Sequence, residues 1–302
     1  MIRGLRLLVA VLLVGAGVAA GLLLALEAPG LRQTYIQAKY ELRETLGLEK
    51  SWARLPSAAQ AEGRETVDCP DPAETLVVVT GGQSNAANVI PAPAQAGPEA
   101  TVWFDGACYP AADPVLGATG GQGSLWPPLA DRLAAGADAP VLLINGAVGG
   151  TQVGDWVDDR SGYYSALAGR IATARDAGYE PRLILWHQGE TDAAVERDME
   201  RFRGRLDALT ADLLAEMPAA QLYLFRTTKC IGPVRADGVP AIRDVQSAVA
   251  EGNDRIVPGM DTDELGRDFR WDTCHFNSLG RREIVERVAG DLLDLVEMEE
   301  KG

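Results

Sequence analysis

Basic residues are scarce in this chain, and their scarcity argues against one large class of partners. Lysine and arginine number 28 against 43 aspartates and glutamates, so the formal net charge is −15. Nucleic-acid binding relies on clustered lysine and arginine side chains that neutralise phosphates, and the sequence shows no such basic patch. We therefore expect no nucleic-acid partner.

Histidine and cysteine are also rare, which narrows the chemistry that the chain can perform. Only two histidines occur in 302 residues, His187 and His275. The four cysteines form no paired CxxC motif, so a structural zinc site is not expected. Four cysteines allow three disulfide pairings in principle, and disulfides persist mainly in proteins that leave the cytosol. The four are Cys69, Cys108, Cys230 and Cys274.

A long uncharged run near the N-terminus predicts contact with a membrane. Arg3 and Arg6 precede the apolar residues 7–26, about as many as a helix needs to cross a bilayer. The length favours an uncleaved transmembrane helix within residues 1–30, with a cleaved signal peptide as the alternative. In both cases the rest of the chain would lie on the extracytoplasmic side.

The remainder of the chain predicts a short connection followed by one α/β domain. Residues 31–66 are expected to form a helical stalk and linker, and residues 67–302 the folded domain. Short apolar runs, typical of buried strands, alternate there with stretches of helical spacing. This alternation predicts a three-layer α/β/α sandwich with a mainly parallel central sheet. The candidate strands are 75–80, 101–104, 140–145, 182–187 and 221–226, and the clearest helical stripes are 195–213 and 284–295.

Several polar segments directly follow these candidate strands. Active sites in parallel sheets lie beyond the carboxyl ends of the strands, so these segments should share one edge of the sheet. They are Ser84, 145–151, 188–192 and 227–230.

Ser84 stands in the stretch VVVTGGQSN, after two glycines at the end of the first candidate strand. A serine here could cap a following helix. It could instead be a nucleophile, which requires a base, usually a histidine oriented by a carboxylate. Asp272 precedes His275 by three residues, so one turn could bring its carboxylate to the imidazole. Ser84, Asp272 and His275 are therefore the candidate catalytic residues.

A serine nucleophile also needs hydrogen-bond donors for the oxyanion that forms on the substrate carbonyl. The glycine-rich turn 145–151 can present backbone N–H groups, although such turns are common in any α/β fold. Gln188, at the end of another candidate strand, could direct its side-chain amide to the same place.

Four motifs resemble those of one family, and they occur in the expected order: GGQSN, AVGGTQVGDW, WHQGETDA and DTCHFNSLG. The set is similar to SGNH-type hydrolases, and more closely to the sialate O-acetylesterase-like branch, which includes acetylxylan esterases of carbohydrate esterase family 6. The resemblance covers about residues 75–296. It implies a flavodoxin-like SGNH fold, no cofactor, and a carbohydrate O-acetylesterase that works through an acyl-enzyme. The G-x-S-x-G elbow of α/β-hydrolases is absent, because Asn85 and Ala86 follow Ser84.

The resemblance also implies roles for individual residues. Ser84 matches the nucleophile, His275 the general base and then acid, and Asp272 the orienting carboxylate. The oxyanion hole would combine the Ser84 N–H, the Gly149 N–H and the side-chain amide of Gln188, which replaces the more common asparagine. Gly150 is the alternative to Gly149.

Three further polar residues near Gln188 need an interpretation. We expect Glu190, with Asn85, to support the loop that carries Ser84, and Asp192 to cap the helix that follows it. His187 is expected to have a structural role. A metal site made by His187, Glu190 and Asp192 is the less favoured alternative, because metal sites normally show more clustered ligands.

The predicted substrate is an acetylated extracytoplasmic glycan, with the membrane contacted through the N-terminal helix. Aromatic side chains near the predicted edge could stack on sugar rings: Trp126, Trp156, Tyr163 and Tyr164. Alternatives on the same fold are a lipase or thioesterase, an acetyltransferase, and a catalytically silent glycan-binding protein.

Cys230 follows a strand end and Cys274 lies beside His275, so we expect these two to pair and to fix His275. Cys69 and Cys108 would then form the second disulfide.

Overall fold

The computed structural model describes residues 54–230 and 238–300, with side chains of the last helix described as far as residue 297. The predicted membrane segment, residues 1–30, lies outside the described residues, as does most of the predicted stalk. In the part of the chain that is described, no helix is both long and apolar enough to cross a bilayer.

A mainly parallel sheet forms the centre of the fold, as the alternating pattern predicts. Its strand order is β3-β2-β4-β1-β5-β6-β7, with β1 in the middle. Strands β2 and β3 run antiparallel, and the other neighbouring pairs run parallel. The strands are β1 (Leu76–Gly82), β2 (Ala100–Phe104), β3 (Ala107–Pro110), β4 (Val141–Asn145), β5 (Pro181–His187), β6 (Gln221–Arg226) and β7 (Ile256–Asp261).

Helices cover both faces of this sheet. The helices are α1 (Trp126–Ala137), α2 (Val153–Val157), α3 (Tyr163–Asp176), α4 (Glu190–Val195), α5 (Met199–Glu216), α6 (Gly238–Glu251) and α7 (Ser278–Glu300). Side chains alternate between the faces of a strand. Val78 of β1 therefore belongs to the core that includes α1 and α7. Its neighbours Val77 and Val79 belong to the core that includes α3, α5 and α6.

Two strands have no counterpart among the predicted ones, and both lie at edges of the sheet. β3 has only four residues. β7 contains Pro258 and Gly259, which interrupt the residue pattern of a strand. Proline is tolerated at an edge because the missing N–H group has no partner strand to bond there. The pairing with β6 therefore creates a strand that the local sequence does not indicate.

The predicted helical stripe over 195–213 is divided in the structure. Val195 ends α4, and α5 begins only at Met199. Asp198 stands between them as an N-cap, and its carboxylate accepts the N–H groups of Glu200 and Arg201 at 3.1 and 3.0 Å. The cap starts a new helix, so one apolar stripe spans two helices.

Part of the expected linker contacts the domain. Residues Ala58–Ala61 form a 3₁₀ turn. The side chain of Gln60 accepts the N–H of Gly117 and donates to the carbonyl of Ala118, both at 2.9 Å. Slightly further along, Cys69 is bonded to Cys108 in β3, which confirms one of the two expected disulfides.

Candidate active site

The candidate site lies where β1, β4 and β5 end side by side. Ser84 follows β1, Gly149 follows β4, and Gln188 follows β5. The chain continues from β1 toward one edge of the sheet and reaches the other half only from β5 onward. Ligand crevices of parallel sheets form at such a change of direction, so the structure brings these three segments together at the expected edge.

The two glycines before Ser84 allow β1 to end in close contact with β5. Gly82 has a φ of 121°, and a Cβ atom there would lie 2.1 Å from the carbonyl oxygen of His187. A Cβ atom on Gly81 would lie 2.3 Å from the ring of Trp186. Side chains at these positions would clash and push the serine away from the neighbouring strand.

The interpretation of Ser84 as a helix cap is wrong. Only a single 3₁₀ turn, Ser84–Ala86, follows the strand, and its N-cap is Gln83. Ser84 is the first residue within the turn. Its backbone N–H therefore has no partner inside the turn and can serve another acceptor.

The hydroxyl of Ser84 is in hydrogen-bonded series with the side chains of His275 and Asp272. Ser84 Oγ lies 3.0 Å from His275 Nε2, and His275 Nδ1 lies 2.7 Å from Asp272 Oδ2. The other carboxylate oxygen of Asp272 accepts the backbone N–H groups of Cys274 and His275 at 2.7 and 2.6 Å. The structure thus brings together a serine and a histidine that are 191 residues apart.

The surroundings of Asp272 keep its carboxylate ionised. Partial burial raises the pKa of Asp272, but hydrogen bonds from the His275 ring and from the N–H groups of His275 and Cys274 outweigh it, so the pKa lies below its ordinary value. An ionised Asp272 accepts a proton-bearing Nδ1, which leaves a lone pair on Nε2. That lone pair faces the hydroxyl of Ser84.

A buried arginine holds the segment that carries these two residues, which we call the histidine loop (residues 270–276). The loop closes by a bridge between Arg270 and Phe276. The guanidinium of Arg270 donates to the carbonyl of Cys274, at the centre of the loop, and to Thr228 Oγ1 at 2.6 Å. It also lies 4.6 Å above the ring of Phe276. Arg270 stands in no motif, so the sequence offers no signal of this contribution.

The disulfide between Cys230 and Cys274 is a second attachment of the histidine loop. It confirms the expected pairing and ties the residue next to His275 to the segment that follows β6.

The serine loop (residues 83–86) is held by the two amides that flank Ser84. Gln83 Oε1 accepts the backbone N–H of Thr191 at 3.1 Å. Asn85 Nδ2 donates to Glu190 Oε1 at 2.7 Å. Both contacts reach the segment that follows β5. The structure therefore places Glu190 and Asn85 where residues that support the serine should lie, and it adds Gln83, which the sequence reading did not single out.

Glu190 is a buried carboxylate with polar neighbours. Burial raises its pKa, but hydrogen bonding and charge interaction with His187, together with the hydrogen bond from Asn85, hold the pKa below the ordinary value. His187 Nε2 lies 3.4 Å from Glu190 Oε1, and the His187 ring stacks on Phe225 at 4.7 Å between centroids. His187 is thus packed behind the serine loop, in agreement with a structural role.

Asp192 does not cap the helix that follows it. It lies inside α4, and its carboxylate accepts the N–H of Val153 at the start of α2, at 3.2 and 3.3 Å. The helix begins three residues earlier than expected, with Gly189 as its N-cap, so the side chain of Asp192 reaches a neighbouring helix instead. Within residues 54–230 and 238–297, no group of three or more histidine, cysteine, aspartate or glutamate side chains could hold a metal ion.

Gly149 lies directly beside the nucleophile. The chain before it is fixed by a hydrogen bond from the Val148 N–H to the Gly82 carbonyl at 2.9 Å. A Cβ atom on Gly149 would lie 3.8 Å from Ser84 Cβ. The Gly149 N–H donates to Thr119 Oγ1 at 2.8 Å, so the loop before α1 also reaches the site. No motif marks Thr119 in the sequence.

Gln188 is buried, and its side-chain amide is oriented at both ends. Its Oε1 accepts the indole N–H of Trp186 at 3.0 Å. Its Nε2 donates to Thr151 Oγ1 at 3.3 Å. One N–H of this amide is therefore engaged, and an amide has a second one.

The aromatic residues expected to stack on sugars are placed differently. Trp126, Trp156 and Tyr163 are 0%, 1% and 4% exposed, so the expectation is wrong for these three, and Tyr164 is half-buried on α3. The three rings lie in the core because large aromatic side chains gain the most from burial. Trp271, which no sequence motif indicates as a binding residue, is 49% exposed and lies beside His275.

A parallel sheet whose carboxyl edge carries serine, imidazole and carboxylate in series is the arrangement of serine-dependent hydrolases. The chain belongs to the carbohydrate esterases, because residues 76–294 match the sequence model of the family described as "Carbohydrate esterase, sialic acid-specific acetylesterase". This match confirms the resemblance that the four motifs indicate.

Known proteins with similar sequence or structure agree with the family. A probable carbohydrate esterase of Arabidopsis thaliana is 28% identical to this chain over 140 residues. The match covers 46% of this chain and 50% of the length of that relative. The crystal structure of the same Arabidopsis protein has a TM-score of 0.62 at 19% identity, covering 73% of this chain and 98% of that one. A carbohydrate acetylesterase from Xanthomonas citri has a TM-score of 0.51 at 17% identity, covering 70% and 55%. The structural likenesses show a shared fold.

Proposed function

We propose that the protein removes O-acetyl groups from a carbohydrate by serine catalysis through an acyl-enzyme. The observation that carries the proposal is the hydrogen-bonded series Ser84–His275–Asp272, with distances of 3.0 and 2.7 Å. Its position at the strand ends of a carbohydrate esterase supports the same reaction.

In the first half of this reaction, Ser84 Oγ attacks the acetyl carbonyl while His275 Nε2 takes the hydroxyl proton. The ionised carboxylate of Asp272 stabilises the imidazolium that forms. The imidazolium then returns the proton to the sugar oxygen as the ester bond breaks, and the acetyl group remains on Ser84. In the second half, water attacks the acetyl-serine with His275 again as base, which releases acetate and restores the serine.

The negative charge that develops on the carbonyl oxygen needs hydrogen-bond donors, which the segments after β1, β4 and β5 would supply. The proposed hole consists of the N–H of Ser84, the N–H of Gly149 and the side-chain amide of Gln188. The Gly149 N–H donates to Thr119 Oγ1 at 2.8 Å. The oxyanion would replace this neutral acceptor, and a charged acceptor forms the stronger hydrogen bond.

We further propose that the enzyme acts outside the cytoplasm, anchored through the predicted N-terminal helix. The uncharged run over residues 7–26 and the two disulfides support this location. Fractionation of cells that express the full chain should place it in the membrane fraction, with the domain digested by protease added from the outside. Recovery of the full chain in the cytosol would rule out the location without affecting the chemistry.

The activity is tested by acetate release from an acetylated saccharide. The wild-type chain should release acetate, and Ser84→Ala should lower kcat by at least about 10³-fold, since the attacking atom is lost. Each alternative has its own outcome. Turnover that requires an added sugar acceptor would indicate a transferase, preference for long acyl chains a lipase or thioesterase, and binding without turnover a silent glycan-binding protein.

A further inference from the structure

Trp271 is an exposed aromatic residue that the proposed chemistry does not use. Its side chain is 49% exposed, whereas Trp126, Trp156 and Trp186 are almost fully buried. Trp271 lies within the histidine loop, one residue before Asp272. Single exposed apolar residues are common on protein surfaces, so exposure alone carries no conclusion.

Hydrogen bonds to two segments hold Trp271 in place. Its indole N–H donates to the carbonyl of Val89 at 3.1 Å, in the segment that follows the serine loop. Its backbone N–H donates to the carbonyl of His275 at 3.1 Å. The ring stacks beside the imidazole of His275, with 6.0 Å between centroids and 19° between planes. The half-exposed ring is thus a fixed surface next to the group that handles the proton.

A fixed and half-exposed indole beside the imidazole of His275 is suited to one kind of ligand surface. The faces of a pyranose ring carry C–H groups, and its hydroxyls point outward from the rim. Such a face can pack on an aromatic ring and remove apolar area from water while the hydroxyls stay hydrated. An acyl chain, by contrast, would need an enclosed apolar pocket.

We propose that Trp271 is the platform on which the sugar ring of the substrate lies while its acetyl group is at Ser84. The inference rests on the proposed esterase function and adds a substrate class to it, namely pyranose rings with an accessible apolar face. In this arrangement Trp271 recognises the alcohol part of the ester. The acetyl group itself makes no use of it.

The test compares two acetate esters that differ only in the alcohol part: glucose pentaacetate, which has a pyranose ring, and glycerol triacetate, which has none. Trp271→Ala should raise KM for glucose pentaacetate about tenfold, the size expected for a lost stacking contact. KM and kcat for glycerol triacetate should change less than about twofold, and Trp271→Phe should keep most of the affinity for the ring substrate.

Leu279→Ala is the matched control, because Leu279 is a similarly exposed apolar residue, at 46%, near the start of α7. Leu279→Ala should leave KM and kcat unchanged for both esters. Equal losses on the two esters in Trp271→Ala, or a displaced pH profile of kcat, would instead make Trp271 a positioning residue for His275 and overturn the proposal. An unchanged KM for glucose pentaacetate would overturn it as well. If the wild-type chain hydrolyses neither ester, the proposed function itself fails, and this inference fails with it.

Discussion

The serine loop and the histidine loop meet at one hydrogen bond, but they are held in different ways. Gln83 and Asn85 of the serine loop are 2% exposed, and so is Glu190, the hydrogen-bond partner of Asn85. The side chains of His275 and Asp272 are 23% and 31% exposed. The serine loop continues from the central strand of the sheet, whereas the histidine loop is attached by Arg270 and a disulfide.

The two loops should therefore differ in how strongly they are coupled to the stability of the fold. Buried polar contacts at strand ends are part of the core, so damage to the serine loop should lower stability and activity together. A partly exposed loop with few attachments opens at lower cost than the core. Changes in the histidine loop should therefore affect activity with less effect on the free energy of unfolding.

The largest expected effect is on activity alone and comes from the histidine loop. Asp272→Asn should lower kcat by about 10⁴-fold, because the amide favours the wrong tautomer of His275 and cannot stabilise the imidazolium. The urea midpoint of unfolding should fall much less than in a variant of the serine loop. Asp268→Asn, an exposed residue just before the loop, is the control and should keep full activity. A loss below tenfold in Asp272→Asn would remove Asp272 from the mechanism.

A large effect on stability is expected from the serine loop. Glu190→Ala leaves the amide of Asn85 and the ring of His187 without their buried partner, and should lower the free energy of unfolding by about 3 kcal/mol. Activity should fall in parallel. Glu264→Ala removes a surface glutamate paired with Arg287, and should have little effect. Urea unfolding followed by fluorescence measures the free energy of unfolding of both variants. An unchanged free energy in Glu190→Ala would contradict the view that the serine loop is part of the core.

The two disulfides provide a direct contrast, because the loops that they close are of similar length. The sequence separations are 39 residues for Cys69–Cys108 and 44 for Cys230–Cys274. Replacing either pair by serines should lower stability by a similar amount, about 3 kcal/mol. Only the loss of Cys230–Cys274 should also lower kcat, since of the two disulfides it alone is attached to the histidine loop. Equal activity in the two double variants would show that Arg270 suffices.

The smallest expected effect concerns the dependence of stability on pH. The pKa of Asp272 is lower in the folded protein than its ordinary value. An ionised Asp272 therefore stabilises the folded state fully above the unfolded pKa, about 4, and this contribution disappears as the pH falls through the lower folded pKa. The difference in unfolding free energy between wild type and Asp272→Asn should thus shrink below about pH 4. A difference that stays constant between neutral pH and pH 3 would contradict this assignment.

Much of the site could be predicted because its parts are marked locally. Strand ends are visible as short apolar runs that stop at turn residues, and parallel sheets collect such ends at one edge. With only two histidines in the chain, the spacing of Asp272 and His275 sufficed to choose the candidate base. The cysteine pairing followed from the same placement. These features depend on residues that are close in sequence or on the general rule for parallel sheets.

The contributions of Arg270, Thr119 and Trp271 became visible only in the tertiary structure. Arg270 reaches Thr228 across 42 residues, and Gly149 reaches Thr119 across 30. Residue type likewise did not distinguish the exposed Trp271 from the three buried candidates and the half-buried Tyr164. Periodicity tells which face of an element is buried, but the partner of a polar group depends on register and on packing between distant segments.

The amino-acid sequence alone thus predicts the class of fold, the edge that carries the site, and the three residues of the hydrogen-bonded series. Only the contacts of the folded chain show how the two loops are held and which aromatic ring faces solvent. Buried positions recur at a fixed spacing along each helix and strand, so they can be recognised from neighbouring residues. Hydrogen bonds between loops are made once, by residues that only the completed fold brings within reach.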